Sequence, residues 1–453
     1  MISLTCLPCL SLRPVFAAYP VSGWLGRLIG RGSAARPPQR AGAPTAAAPR
    51  PAKAENAAFG VRRPLVGAQG NVAGFELLLP PTLEMRLSQR GDAAADAAHQ
   101  AMLLASAAPL AQSGRWPLLR ISALALSRPG VAQQAPSGAM LCVAGLAELP
   151  VDLASTLRGR GVRLGLPDGP PASAPQADFV LLQAAAGGLD TLQLAAQLWR
   201  DARPRMPLVA TGLAHLEDVE QLLRIGFTLA GGALDRSRSA PLSRPLNAGA
   251  LRICGLLNHL ALDHETALVA GAVRADVALS YRLLRYANSP AIGLKRSVES
   301  VDDAVKLLGR KELHRWLTVL LMSVAESRQA TRALQEAALA RGRLLESLAL
   351  QRQDPAAQTL FSIGLLSLME VLLQTPLADA LAPLRLSEAA RQALLLRQGP
   401  YAPYLAVAEA LDQADGAALD ALLPMFGGAE AVDALAADAW SWASEVAHGA
   451  VGG

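Results

Sequence analysis

The chain changes its grammar twice, and those changes decide what it can fold into. From residue 59 to about 240 short apolar runs alternate with amphipathic stretches, and from 245 to about 450 only helical periodicity is left. VRRPLVGAQGNVAGFELLL reads as a β-hairpin turning at Gln69 to Asn71, and PLLRISALAL, GAMLCVAG, VRLGLPD, ADFVLLQ, PLVATG and FTLAGG read as further strands. DAAADAAHQAMLLASAAPLA, DLASTLRGRG, LDTLQLAAQLWRDAR and LEDVEQLLRIG carry helical spacing between several of them. Strands alternating with helices require a parallel sheet, because parallel neighbours need a crossover. About 180 residues is short for a complete eight-fold barrel, so a trimmed α/β barrel is expected. Missing units would leave sheet edges that self-association would cover.

The second half contains LNAGALRICGLLNHLAL, ADVALSYRLLRYAN, KELHRWLTVLLMSVAES, ATRALQEAALARGRLLESLALQ and AAQTLFSIGLLSLMEVLLQ, all with apolar recurrence near 3.6 residues. Leu313, Trp316, Leu317, Leu320, Leu321 and Val324 fall on one stripe, the mark of a core-facing helix. Aromatics are only 4% of the chain, so alanine, leucine and valine must fill the interior, which favours an all-α unit.

Within it, LLRYANSPAIGLKRSVESVDDAVKLLGR stops a leucine-rich helix and restarts another. Val277, Tyr281, Leu284 and Asn288 share one face of the first helix, and Arg282, Arg285 and Ser289 share another. Pro290 forbids continuation and moves Ser289 out of the helical region. Gly293 then frees the backbone, Ser300 with Asp303 forms an S-x-x-D helix start, and Gly309 ends that helix. The stretch is a helix, bend, helix corner.

Net charge is +5, but residues 1–58 hold Arg13, Arg27, Arg31, Arg36, Arg40, Arg50 and Lys53 against Glu55 alone. That balance of +6 leaves residues 59–453 at −1, so the folded part has no basic face for nucleic acid. Residues 31–58 are proline, alanine and arginine without hydrophobic periodicity, a disordered linker by composition. Before them, GWLGRLIGR sets Trp24, Leu25, Leu28 and Ile29 opposite Arg27 and Arg31; it reads as a short helical start, with contact to a membrane surface as the other reading. The first residues lack a charged n-region and are broken by prolines, which argues against a secretory signal. No uncharged apolar run reaches the ~18 residues of a membrane span. Cys142 and Cys254 lie in apolar runs, and Cys6 and Cys9 lack two further ligands for zinc. Cysteines this few and scattered suit a reducing, cytoplasmic compartment.

The hairpin VRRPLVGAQGNVAGFELLL resembles the opening of an EAL domain, the barrel family that hydrolyses cyclic diguanylate, with Glu76 at the glutamate of the Glu-Ala-Leu motif. VRLGLPDG resembles the strand ending in the family's Asp-Asp pair, and PLVATGLAHLEDVEQLLRIGFTLAGG its closing region. The resemblance spans residues 59–240 and implies two divalent cations held by several carboxylates. The aligned positions depart from that pattern: the asparagine falls at Arg120, a glutamate near Ala144, the Asp-Asp pair at Pro167-Asp168, the lysine at Leu181, the next aspartate at Gln183, and two glutamates at Thr211 and Ala214. Glu76 and Asp168 are thus a vestigial motif, and neither catalysis nor a resident metal or cofactor is expected.

LLRYANSPAIGL, DDAVKLLGRKELHRWL, ARGRLLESLA, FSIGLLSLMEVLL and LSEAARQALLLRQGPYAPYLAVAEAL resemble the HDOD domain, a helical relative of HD phosphohydrolases, over residues 245–450. Arg285, Asn288, Ser289, Gly293 and Gly309 carry its signature. HD enzymes hold metal with an adjacent His-Asp pair. Here the histidines precede Gln100, Leu216, Leu260, Glu265, Arg315 and Gly449, and His259 and His264 are five apart, off one helical face. There is no G-x-S-x-G elbow and no glycine-rich phosphate loop, and Gly187-Gly188 and Gly231-Gly232 read as loop glycines.

The expectation is a non-enzymatic bacterial signalling scaffold that works through protein partners or self-association, with Arg282 and Arg285 beside the bend as candidate partner contacts. A cyclic diguanylate receptor without hydrolysis and a residual phosphodiesterase are the competing readings. Residues 235–248 read as a short polar joint between the two units.

Overall fold

The computed structural model describes residues 61–79, 93–168, 177–184, 188–238, 240–262, 266–288, 298–323 and 329–448. The tail at 1–58, Cys6, Cys9, Gly187, His264, Ser289, Pro290, Gly293 and Val324 lie outside the described residues.

Eight strands close a barrel in sequence order: β1 Val61–Gly67, β2 Val72–Leu78, β3 Trp116–Ser122, β4 Met140–Ala144, β5 Arg163–Pro167, β6 Phe179–Gln183, β7 Leu208–Leu213 and β8 Leu229–Gly232. β1 is antiparallel to both neighbours, and every other pairing is parallel. The reversal comes from the hairpin, where Gly70 at φ +73° donates to the Gly67 carbonyl at 2.8 Å.

The expectation of missing units is corrected, since the barrel is complete and self-association to cover a sheet edge loses its rationale. The saving lies in the connections. Only residues 168–178 join β5 to β6, and β3 is followed by one helical turn, Ala123–Leu126. That turn corrects the reading of ALAL as strand: Ser122 Oγ accepts from the Ala125 amide at 3.1 Å and caps it. Gly231 and Gly232 are likewise not loop glycines. They lie in β8, where a Cβ would meet Leu65 Cδ2 at 2.6 Å and the Leu213 carbonyl at 2.3 Å, so glycine is what lets the strands close.

Alternate residues point inward, and Leu65, Leu118, Met140, Cys142, Phe179, Leu181, Val209 and Leu229 fill the barrel. Phe179 lies over its register neighbour on the adjacent strand, Gly165, whose Cβ would sit 2.2 Å from the ring. The barrel is therefore plugged, and polar chemistry is confined to its rims.

The helical half runs from Ala248–Ala261 to Ala429–His448. Leu313, Trp316, Leu317, Leu320 and Leu321 are all fully buried, each worth about 1.5–3 kcal/mol relative to exposure. One apolar core continues from the barrel's Phe75 and Phe227 into Trp316, Leu345 and Trp440. Phe75 and Trp440 meet edge to face at 4.9 Å, and the Ala333 amide donates to the Gly70 carbonyl at 2.9 Å. Among the described residues no helix is long and apolar enough to cross a membrane.

Candidate functional site

The inward positions of the strands carry a polar layer at their carboxyl ends, next to the apolar plug. Leu118 precedes Arg120 by two on β3, Leu181 precedes Gln183 on β6, and Val209 precedes Thr211 on β7, so the three polar residues face the same mouth. Glu76 joins them from β2, where it pairs in register with Leu118.

Arg120 gathers this layer. Its Nη2 and Nε donate to Glu76 Oε1 at 3.0 and 3.3 Å, Nη2 also donates to Thr211 Oγ1 at 2.8 Å, and Nη1 donates to Gln183 Oε1 at 2.6 Å. Glu76 is 1% exposed and Arg120 36% exposed in their side chains, so a buried carboxylate is neutralised by a cation that reaches it from the rim. Asp168 sits exposed at the end of β5 and accepts the Gln183 amide at 3.1 Å. The two acids of the motif are thereby linked through Arg120 and Gln183. Burial pushes the thiol of Cys142, in register with Arg120, up to about 12, with Arg120 opposing and Glu76 and Asp168 adding to the rise, so it is a neutral packing group. Among the described residues no group of three or more His, Cys, Asp or Glu is arranged to hold a metal ion.

In the helical half, Asp276 caps the helix Val277–Ala287 by accepting from the Ala278 and Leu279 amides at 2.9 and 3.1 Å, which with Arg252 keeps its carboxyl below the usual range. The helix ends at Asn288, whose side chain donates to the Leu284 and Val298 carbonyls at 2.9 and 2.7 Å and accepts the Val298 amide at 2.6 Å. Asn288 is thus a clamp that holds both ends of the bend together. Ser300 Oγ accepts the Asp303 amide at 3.1 Å and donates to its carboxylate at 2.7 Å, which realises the expected helix start. Gly309 at φ +66°, ψ 174° breaks Val301–Met322 into two helices, as its sequence position predicts. Tyr281 and Val277 are exposed, and the buried side of their helix is Leu279, Leu283, Tyr286 and Ala287. Arg285 is exposed, and Arg282 is half-buried.

His314 is buried, which pushes its imidazole below the ordinary value, and His215 lies 3.4 Å from Asp218 at the start of the helix Leu216–Arg224. The sequence reading missed the buried ion pairs between barrel and helices and within the helical half. Arg115 Nη2 meets Glu336 at 2.7 Å and Ser444 at 2.8 Å, Arg62 meets Asp433 at 3.0 Å, and Arg341 meets Asp235 at 3.2 Å and Asp412 at 2.5 Å.

Fold and site together define a two-part molecule: a filled barrel with a cation-centred polar mouth, joined to an all-helical unit. Residues 247–397 match the family model of the HDOD domain, and the chain therefore carries an HDOD domain. It is similar to the Bacillus subtilis (strain 168) protein YuxH, with 27% identity over 188 residues, 41% of this chain and 46% of that protein. It is also similar to the cyclic di-GMP phosphodiesterase CdgJ of Vibrio cholerae, with 28% identity over 144 residues, 32% of this chain and 33% of that protein. The chain thus spans less than half the length of these curated relatives. Structural neighbours are EAL domains. That of a Listeria monocytogenes EGD-e protein has 14% identity and a TM-score of 0.31, covering 39% of this chain and 86% of its own. The FimX EAL domain of Pseudomonas aeruginosa, bound to c-di-GMP, has 12% identity and a TM-score of 0.31, covering 38% and 87%.

Proposed function

We propose that the chain is a cytoplasmic signal-transduction protein that presents surfaces to protein partners or to itself and does not turn over a cyclic dinucleotide. The observation that carries this reading is Arg120. Two-metal hydrolysis needs carboxylates converging on cations at the mouth of a barrel. Here a guanidinium already lies against Glu76 and spends its other donors on Gln183 and Thr211. A divalent cation brought to Glu76 would meet that fixed positive charge at close range. The HDOD domain and the similarity to CdgJ support a place in bacterial signalling related to cyclic di-GMP.

The test is incubation of the purified full chain with cyclic diguanylate and Mg²⁺ or Mn²⁺, followed by chromatography, with calorimetry at tens of micromolar nucleotide alongside. No product and no heat are expected. Metal-dependent product that disappears in Glu76→Ala would overturn the proposal. Saturable heat without product would replace it with a receptor that binds and does not hydrolyse.

A further inference from the structure

The helix Val277–Ala287 turns an unusual stripe to solvent. Val277 is 85% exposed and Tyr281 59% exposed, and they are separated by one turn, with Arg285 one turn further on. The Arg285 guanidinium lies 5.7 Å from the Tyr281 ring centre, so the aromatic face and the cation form one continuous feature. Nothing in the core needs these residues, because the opposite side of the helix supplies Leu279, Leu283, Tyr286 and Ala287 to it.

The neighbouring arginines are spoken for. Arg252 pairs with Asp276, and Arg274 pairs with Asp302. No carboxylate pairs with Arg282 or Arg285 among the described residues. The segment 289–297 that follows, SPAIGLKRS, contains no acid to supply one. Among the described residues the result is a pair of cations without counter-ions beside two exposed apolar side chains.

We propose that this stripe is a docking site for an acidic amphipathic segment of another protein. Such a segment would set apolar side chains on Val277 and Tyr281 and carboxylates on Arg285 and Arg282. Charge excludes the occupants that the chain itself offers. The tail at 1–58 balances to +6 and would be repelled. A second copy docked symmetrically about Tyr281 would set Arg285 against Arg285. The inference deepens the scaffold reading and rests on it, but its readout involves no nucleotide, so the two stand or fall in separate experiments.

The test is selection of a displayed random-peptide library against the full chain, with Arg285→Glu, Tyr281→Ser and Leu350→Ser in parallel and thermal melts to check folding. Leu350 is a distant apolar side chain, 58% exposed, on the helix Thr331–Gln351. Enrichment of Asp or Glu flanking Leu, Phe or Met at helical spacing is expected. Against Arg285→Glu the preference should turn to Lys or Arg, Tyr281→Ser should weaken a selected peptide about tenfold, and Leu350→Ser should leave it unchanged. The proposal is overturned if no acidic motif is enriched, if the same peptides bind Arg285→Glu equally well, or if the patch instead binds phosphatidylglycerol vesicles or closes a dimer that Tyr281→Ser dissociates.

Discussion

The guanidinium of Arg120 on β3 holds Glu76 on β2 with two nitrogens at 3.0 and 3.3 Å from one carboxylate oxygen, and Glu76 is all but closed to solvent. The barrel mouth is therefore neutralised from within. Arg120→Ala strands a buried carboxylate and should cost about 2–3 kcal/mol, below the range for a fully enclosed pair because Arg120 keeps water on one side. Adding Glu76→Gln should return most of that loss. Urea unfolding of the two variants and their parent measures it, and a single mutant as stable as the parent would refute the pairing.

Asn288 should matter for a different reason, since its three hydrogen bonds tie the end of one helix to the entry of the next. Asn288→Ala should cost about 1–2 kcal/mol and speed amide exchange at Val298. Asn288→Asp keeps the acceptor for the Val298 amide and loses both donations, so it should fall between. Exchange at Val298 unchanged in Asn288→Ala would rule out the clamp.

Much of this was legible in the sequence because the signals are local. Alternating apolar residues mark the strands, Ser300 with Asp303 marks a helix start, and Gly309 marks a break. The barrel looked too short because length was set against a full complement of helices, whereas closure depends on strands and register. Val277 and Tyr281 show a further limit, since apolar spacing identifies a face and not what covers it, and both are exposed. At Arg120 the sequence showed an arginine at the asparagine position, but its alignment with Glu76 required the strand register. Arg341 did carry a signal: it shares the spacing of Leu334, Ala338, Leu345 and Leu348, which puts a charge on a core stripe and demands a partner. Arg115 and Glu336, on separate units, carry no local signal at all.

The hairpin tip gives a sharper test of how the two units are joined. A Cβ on Gly70 would lie 1.6 Å from the Gln329 carbonyl oxygen, at φ +73°. Gly114 has the similar φ +77° with nothing within 4 Å of its added Cβ. Gly114→Ala should therefore cost only backbone strain, about 1–2 kcal/mol, while Gly70→Ala adds a clash and should cost well above 3 kcal/mol or open the junction. Limited proteolysis with thermal melts distinguishes them, and equal losses at the two glycines would mean that the close approach at Gln329 has no energetic weight.

The same junction should make stability depend on pH. Burial pushes the Glu336 carboxyl up to about 7 from 4.5 and outweighs Arg115, and burial pushes Asp433 up to about 6 from 3.8 and outweighs Arg62. Both acids bind a proton more tightly in the folded chain than in the unfolded one. Their contribution is fully present below the unfolded values and is lost as pH rises through about 6 for Asp433 and about 7 for Glu336. His314 acts in the opposite sense: burial lowers its pKa from 6.5, so its contribution is present above that value and fades as pH falls. Glu336→Gln keeps an acceptor for Arg115 and removes the titration, so it should flatten the fall in stability between about pH 5 and about pH 8 by roughly 2–3 kcal/mol. Chemical unfolding across that range decides it, because a Glu336→Gln profile with the slope of the parent would place the pH dependence elsewhere in the molecule.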